Sequence, residues 1–306
     1  MPAMDDTLRV GLGTAPLASS SSGPLWWGPQ DRGESVATIR AAIDAGTDFI
    51  DTAPFYGWGL AERLVGEAVA GLDRRPPIFS KCGTVRQPDG TARDDASPDA
   101  IRADVETGLD RLGVDRIDVV QIHDPDPTVP IERSWECLMG LVEDGLIGGA
   151  GLSNHPLELM QRAHAVGPIA VVQHQYSLLD RRAADVGLIE WCRANAIPFL
   201  GWAPLASGFL VDDFDLDALA DGDLRRGLRW ASDGAEVTRR VRSVLATVAA
   251  RRQASMVETA IAWSTRFDGV AAIVGARTPP ETRLFASPRP ALTDQDVAEL
   301  DAALDG

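Results

Sequence analysis

The chain is short of several residue types, and each shortage excludes something. It has three cysteines in 306 residues, and none lies in a C-x-x-C pair. That is too few for a disulfide framework and predicts a reducing, cytoplasmic setting. No run of 18 or more apolar residues occurs, so no membrane-spanning helix is expected. The first ten residues, MPAMDDTLRV, have neither a basic stretch nor an apolar core, so no export signal is expected. Positive charge is scarce: 29 Lys+Arg face 45 Asp+Glu, a net charge of −16. A protein that grips phosphate backbones or anionic lipid needs a basic face, so neither nucleic acid nor membrane is an expected partner. Nothing in the sequence calls for a metal.

Lysine is scarcer still. Of the 29 basic residues, 28 are Arg and one is Lys, at position 81. A codon bias toward Arg explains the skew but not the one Lys that stays. Arg titrates too high to be tuned, whereas burial and neighbours tune Lys. Lys81 is therefore a candidate for a place where Arg would not serve. Tyrosine is rare as well, with Tyr56 and Tyr176 alone.

What is present is ordinary globular material, 45% hydrophobic and 24% charged. The length suits one large α/β domain or two smaller ones. No linker, internal repeat or low-complexity tract divides it, so one domain over residues 1–306 is expected. Short apolar runs recur at Arg9–Gly13, Asp48–Asp51, Ile78–Lys81, Ile117–Ile122, Ile147–Ser153, Ala170–Gln173, Pro198–Trp202 and Val270–Val274. They are rich in Val and Ile and do not alternate, as strands buried on both faces do not. Helical patterns lie between them. Ser97-Pro98 supplies an N-cap and an N1 proline, and Ile101, Val105, Leu109 and Leu112 follow on one face. Val36, Ile39 and Ile43 do the same before a stop near Gly46. Ser255 and Glu258 have capping-box spacing. Eight strands alternating with helices predict an α/β fold, a (β/α)8 TIM barrel. A doubly wound open sheet is the alternative, but no G-x-G-x-x-G follows the first strand. Two loops are long, Pro16–Glu34 after the first strand and Leu205–Gly234 after the seventh. Both leave strand C-termini, where barrel active sites sit. Trp26-Trp27 in the first of them is either an anchor on the rim or a pocket wall.

The strand ends carry the chemistry. The second strand ends at Asp51, the third at Lys81, and the fourth runs into His123. The fifth ends at Ser153-Asn154, the sixth at Gln173, the seventh at Trp202, and the eighth runs into Gly275. In a barrel these converge on one mouth. Tyr56 lies five residues past Asp51, within reach of that mouth. A phenol titrates near about 10, and an adjacent ammonium lowers that value. Tyr56, Lys81 and Asp51 thus form a tunable general acid, and His123 can orient a substrate oxygen. Such a set protonates an oxygen as a carbonyl is reduced, or the reverse. It holds no reductant, so a cofactor must bring the hydride.

The sequence resembles the aldo-keto reductase superfamily. The matching segments are Val10–Thr14, Asp51–Gly57, Ser80–Gly83, Ile117–His123, Gly151–Asn154, Gln173–Leu179, Trp202–Leu210 and Ile273–Arg277, in family order from about residue 8 to residue 285. The resemblance implies a barrel that binds NADPH, or NADH, without a Rossmann domain. It implies Tyr56 as the acid, Lys81 and Asp51 as its tuners and His123 as the orienting residue. Ser153, Asn154 and Gln173 match positions that hold the nicotinamide carboxamide, and Trp202 matches the aromatic stacked on its ring. Gly13 and Thr14 match contacts near the nicotinamide ribose, with Asp51 beside them. Leu205, Ser207 and Gly208 match the loop over the pyrophosphate. Gly275, Ala276 and Arg277 match the adenosine segment, with Arg277 and Arg283 near a 2′-phosphate. Three departures stand out. Ala203 replaces a common Ser, Ala286-Ser287 replaces a Glu-Asn pair, and Pro279-Pro280 stiffens the adenosine segment.

The expected activity is NAD(P)H-dependent reduction of a small aldehyde or ketone, by a monomer or small homo-oligomer. The alternatives are an NAD-dependent sugar or alcohol dehydrogenase running oxidatively, and a slow nucleotide-sensing subunit. Trp26, Trp27, Trp58 and Tyr176 are the expected substrate-pocket residues, with packing the alternative for Tyr176. Cys82, next to Lys81, should point away from the lumen by strand alternation.

Overall fold

The computed structural model describes residues 9–19 and 25–305. Residues 1–8, on which the export expectation rests, and 20–24 of the first long loop lie outside the described residues. Eight parallel strands close a barrel: β1 (Val10–Gly13), β2 (Ile50–Asp51), β3 (Ile78–Cys82), β6 (Val119–Ile122), β7 (Ala150–Ser153), β8 (Val171–Gln175), β9 (Phe199–Trp202) and β10 (Val270–Gly275). The antiparallel pair β4 (Thr84–Arg86) and β5 (Ala92–Asp94) is an added hairpin after β3. This is the (β/α)8 architecture, and the open-sheet alternative is excluded by the β1–β10 pairing that closes the ring.

Six of the eight strands start later than the apolar runs suggest, while β3 and β10 start where expected. Ile117 and Ile147 pair only as an isolated bridge below β6 and β7. Between them the backbones come close at Gly148, where a Cβ would lie 2.4 Å from the Asp118 carbonyl oxygen. At the other end β8 runs on to Gln175, two residues past the expected Gln173.

The helices form where local chemistry starts and stops them. Ser97 accepts from the Ala100 N–H to cap α3 (Pro98–Leu112), which ends on left-handed Gly113. Ser255 and Glu258 complete a reciprocal capping box on α9 (Met256–Ser264). No helix among the described residues is long and apolar enough to cross a membrane.

Alternation sorts the strand side chains into two apolar clusters. Ile78, Cys82, Val120, Ile122, Leu152 and Val172 join the large cluster between barrel and helices. Phe49, Phe79, Val119, Val171, Leu200, Ala271 and Ile273 fill the lumen. Phe49 and Phe79 stack at 4.8 Å and plug it. The plug leaves no room opposite Gly11, where a Cβ would fall 2.2 Å from the Phe49 ring. Gly11→Ala is therefore expected to cost about 1–3 kcal/mol of stability through overpacking, read as a lower urea midpoint with an unchanged slope. An unchanged midpoint would show that the plug yields.

Candidate active site

Above this plug the next inward-facing residues of β2, β3, β6, β7 and β8 are polar, namely Asp51, Lys81, Gln121, Ser153 and Gln173, whereas β9 presents Trp202 and β1 and β10 present glycines. Lys81 Nζ donates to Asp51 Oδ1 at 2.7 Å and to the Thr52 carbonyl at 3.0 Å. Both side chains of that ion pair are almost wholly buried, at 0% and 3% exposure. Gln173 Nε2 donates to the other carboxylate oxygen, Asp51 Oδ2, at 2.8 Å. The Lys81 ammonium sits 5.1 Å from the centre of the Tyr56 ring. The His123 ring stands edge-on to Tyr56 at 5.9 Å, and Phe55 is edge-on to both. The four residues Asp51, Tyr56, Lys81 and His123 are thus brought together. Cys82 points outward and packs against Gln121 and the outer core.

Burial and charge set the protonation states. Burial works against the Lys81 charge, but Asp51 and Tyr56 outweigh it and hold the ammonium above its ordinary value. Burial pushes the Tyr56 phenol above 10.0, and Lys81 restrains the rise without reversing it. This corrects the expectation of a lowered phenol: desolvation is the larger effect. The phenol stays protonated at neutral pH, the state a donor needs. Burial, then Lys81, push His123 well below its ordinary value, so its imidazole is neutral. Its Nδ1 is buried without a partner among the described residues.

The cofactor-side residues flank this set. Ser153 is buried, and its Oγ has no partner among the described residues. Asn154 adopts left-handed backbone at φ 58 and accepts from Trp202 Nε1 at 2.9 Å. Thr14 Oγ1 donates to the Asp51 carbonyl at 3.0 Å, so its hydroxyl serves the scaffold. Gly13 and Gly275 are sites of close approach: a Cβ on either would lie 2.9 Å from Ile273 or Pro16 respectively. After β9, Ala203, Ala206, Ser207 and Gly208 all have positive φ. These left-handed residues let the chain curl tightly, with the Ala206 and Gly208 N–H groups donating to the Ala203 and Leu205 carbonyls at 2.8 and 3.0 Å. Leu205 within this turn and Ala276 just past β10 are both buried.

Arg277 reaches back to the first long loop, donating from Nε to Gln30 Oε1 at 3.1 Å and from Nη2 to the Pro29 carbonyl at 2.6 Å. Arg283 opens the short helix α10 (Arg283–Ala286) and is exposed. Trp26 lies against the other long loop: its carbonyl accepts from the Leu224 N–H at 2.8 Å, and a Cβ on Gly222 would lie 3.7 Å from its ring. The Trp27 N–H donates to Ser19 Oγ at 2.8 Å. Trp26 thus belongs to a clasp between the two long loops, whereas the Trp27 bond stays within the first of them. Trp58 is the indole near Tyr56, edge-on to Phe55 at 5.4 Å and covered by Arg86 of the hairpin.

Tyr176 takes the packing alternative and not the pocket. It is fully buried in the outer core, stacked on Trp263 of α9 at 5.1 Å, with its hydroxyl accepting from Arg266 Nη1 at 2.8 Å. It packs barrel against helix and does not line the mouth.

Two residues at the site carry no signal that the strand-end reading could use. Arg225 is clamped by Asp223 through two bonds of 2.9 and 2.7 Å, and its Nη1 lies 3.5 Å from where a Gly208 Cβ would be. It comes from loop geometry alone. Asp124 directly follows His123 and accepts from Asn154 Nδ2 at 3.0 Å. Burial pushes its carboxyl up to about 6. A strand scan that stops at His123 passes it by.

Comparison with known proteins agrees with the barrel fold. The model of the Aldo/keto reductase family matches residues 9–305. The aldo-keto reductase YhdN of Bacillus subtilis is 34% identical over 216 residues, covering 70% of this chain and 63% of that relative, a little under two thirds of its length. The NADH-specific methylglyoxal reductase of Escherichia coli is 29% identical over 286 residues, covering 89% and 86% of the two chains. Among solved structures, the glycerol dehydrogenase AKR11B4 from Gluconobacter oxydans superposes with a TM-score of 0.87 at 30% identity, covering 99% of this chain and 94% of that one. An aldo/keto reductase from Klebsiella pneumoniae, in complex with NADP and acetate, gives 0.72 at 29% identity, covering 96% and 90%.

Proposed function

The chain belongs to the aldo/keto reductase family, a family of NAD(P)H-dependent oxidoreductases, and we propose that it reduces an aldehyde or ketone to an alcohol with Tyr56 as proton donor. The observation that carries this reading is the Tyr56–Lys81–Asp51–His123 cluster at the C-terminal mouth of the barrel, with its ion pair buried and its Tyr and His half-buried.

The residues present fit a nicotinamide dinucleotide. The orphaned Ser153 Oγ, the Gly13 and Gly275 close approaches and the tight turn with positive φ at Ala203 and Ala206–Gly208 are a polar end, a cradle and a turn beside Arg225. NADPH, when bound, supplies the hydride. Ser153, Asn154 and Gln173 hold its carboxamide, and Trp202 stacks on its ring. The turn with Leu205, Ser207 and Gly208, joined by Arg225, holds the pyrophosphate. Gly275, Ala276, Arg277 and Arg283 hold the adenosine end, and Arg277 and Arg283 favour a 2′-phosphate. His123 as neutral imidazole donates a hydrogen bond to the substrate carbonyl oxygen. Tyr56 gives that oxygen its proton, and Lys81 stabilises the phenolate left behind, while Asp51 keeps Lys81 charged and in place. Trp58 forms part of the pocket wall.

The same donor and acceptor run the reverse oxidation, and the likeness to a glycerol dehydrogenase favours keeping that direction as the second reading. The whole machinery argues against a pure nucleotide sensor. Turnover of a panel of aldehydes and ketones with NADPH, and of alcohols with NADP+, tests the proposal. No turnover in either direction by a protein that binds NADPH would return the sensor reading. For the cofactor, Arg277→Ala with Arg283→Ala is expected to weaken NADPH relative to NADH by about tenfold or more, as loss of charge-assisted hydrogen bonds requires. The ratio of the two dissociation constants is the measurement, because it cancels any slackening of the loop that Arg277 holds. An unmoved ratio removes the 2′-phosphate assignment.

A further inference from the structure

The hydrogen bonds of Asn154 form a chain across three strand ends. Its Nδ2 donates to Asp124 Oδ1 at 3.0 Å and to the His123 carbonyl at 3.3 Å. Both amide hydrogens are thereby spent on acceptors from the end of β6. The amide oxygen faces the other way and accepts from Trp202 Nε1, at the end of β9, at 2.9 Å. The opposite orientation of the amide would set N–H against the indole N–H and oxygen against a carboxylate and a carbonyl. An amide offers two donors on one side and two lone pairs on the other, so the flipped form satisfies nothing. The carboxylate is the stronger of the two acceptors that prevent the flip.

The backbone supports the same arrangement. Asn154 sits in the left-handed region, which Asn tolerates better than most residues, so its amide starts from a fixed base. Trp202 is partly buried against the lumen cluster, which leaves its ring little freedom beyond the orientation set by its N–H.

We infer that Asp124 is a positioning residue for the nicotinamide end of the cofactor site. By holding the Asn154 amide in one orientation, it fixes the Trp202 indole and leaves a lone pair of Asn154 Oδ1 for the carboxamide N–H of the cofactor. The inference rests on the reading of the site as one for a nicotinamide dinucleotide. Asp124 itself touches neither substrate nor cofactor in this assignment.

The test compares two ligands on the purified full-length protein by titration calorimetry: NADPH, and adenosine 2′,5′-bisphosphate, which lacks the nicotinamide. Asp124→Ala is expected to weaken NADPH about tenfold, the loss of one charge-assisted hydrogen bond, and to leave the adenosine fragment within about twofold. Asp124→Asn keeps an acceptor oxygen and is expected to restore NADPH binding to within about threefold of the wild type. In a double-mutant cycle, Asp124→Ala is expected to add little once Asn154→Ala is present. Equal NADPH affinity in Asp124→Ala, or an equal loss for both ligands, would overturn the inference. An additive cycle would overturn it too. A wild-type protein that binds neither ligand refutes the nicotinamide site as a whole, and that failure is separate from a failure of Asp124.

Discussion

Tyr56→Phe is expected to lower kcat for carbonyl reduction by about 10²–10⁴-fold, the usual share of a positioned general acid. The dissociation constant for NADPH should stay close to wild type. The phenol hydroxyl is the only group removed, and the ring keeps its edge-on contact with His123. The pH profile offers a second readout. Burial holds the Tyr56 phenol above 10.0, so its protonated form persists across neutral pH. The wild-type reduction rate should carry no fall attributable to Tyr56 until the pH passes that value. Full turnover of Tyr56→Phe with a reactive aldehyde would remove the residue from the chemistry.

The second large effect belongs to the only lysine. Lys81→Met removes a buried ammonium and leaves Asp51 charged and unpaired beside it. Breaking one side of a buried pair costs about 3–5 kcal/mol. The expected result is a large fall in the urea midpoint together with loss of reduction. Adding Asp51→Asn should recover much of the stability, because both charges are then gone and Asn still offers Gln173 an oxygen to accept. It should not recover activity, since nothing then supports the phenolate. Equal stability of the single and double variants would mean that the pair is not coupled. The pH dependence has a definite sign. The Lys81 value is raised in the folded state, so its contribution to stability is whole below the ordinary lysine value of about 10.4. That contribution is lost as pH rises from there through the raised value.

Much of this site was legible because short parallel strands obey a strict alternation. Once Phe79 faces the lumen, Lys81 must, and the same parity brings Asp51, Ser153 and Gln173 to one level. A chain that otherwise uses Arg marks its lysine plainly. Tyr176 shows the same rule applied too briefly. With β8 continuing to Gln175, His174 and Tyr176 share the parity opposite to Gln173, and Tyr176 turns outward to Trp263 and Arg266. Its neighbourhood to a strand end suggested a pocket, and its parity excluded one. Arg225 was not legible, because its place near Gly208 depends on how a loop of some thirty residues folds back, with Asp223 clamping it. Asp124 was legible as a residue but not as a partner, since only the structure pairs it with Asn154. The phenol's direction of shift was missed for a different reason. Sequence spacing predicts the ammonium beside Tyr56 but not the depth of burial that outweighs it.

Transfer of label from NADPH carrying deuterium at the hydride position tests the central claim most directly. In a single turnover with a small aldehyde, the account predicts an alcohol with one deuterium on the former carbonyl carbon. It also predicts that Tyr56→Phe binds the labelled cofactor equally well and forms that alcohol at least about a hundredfold more slowly. An alcohol without the deuterium, or equal rates from the two proteins, would contradict it.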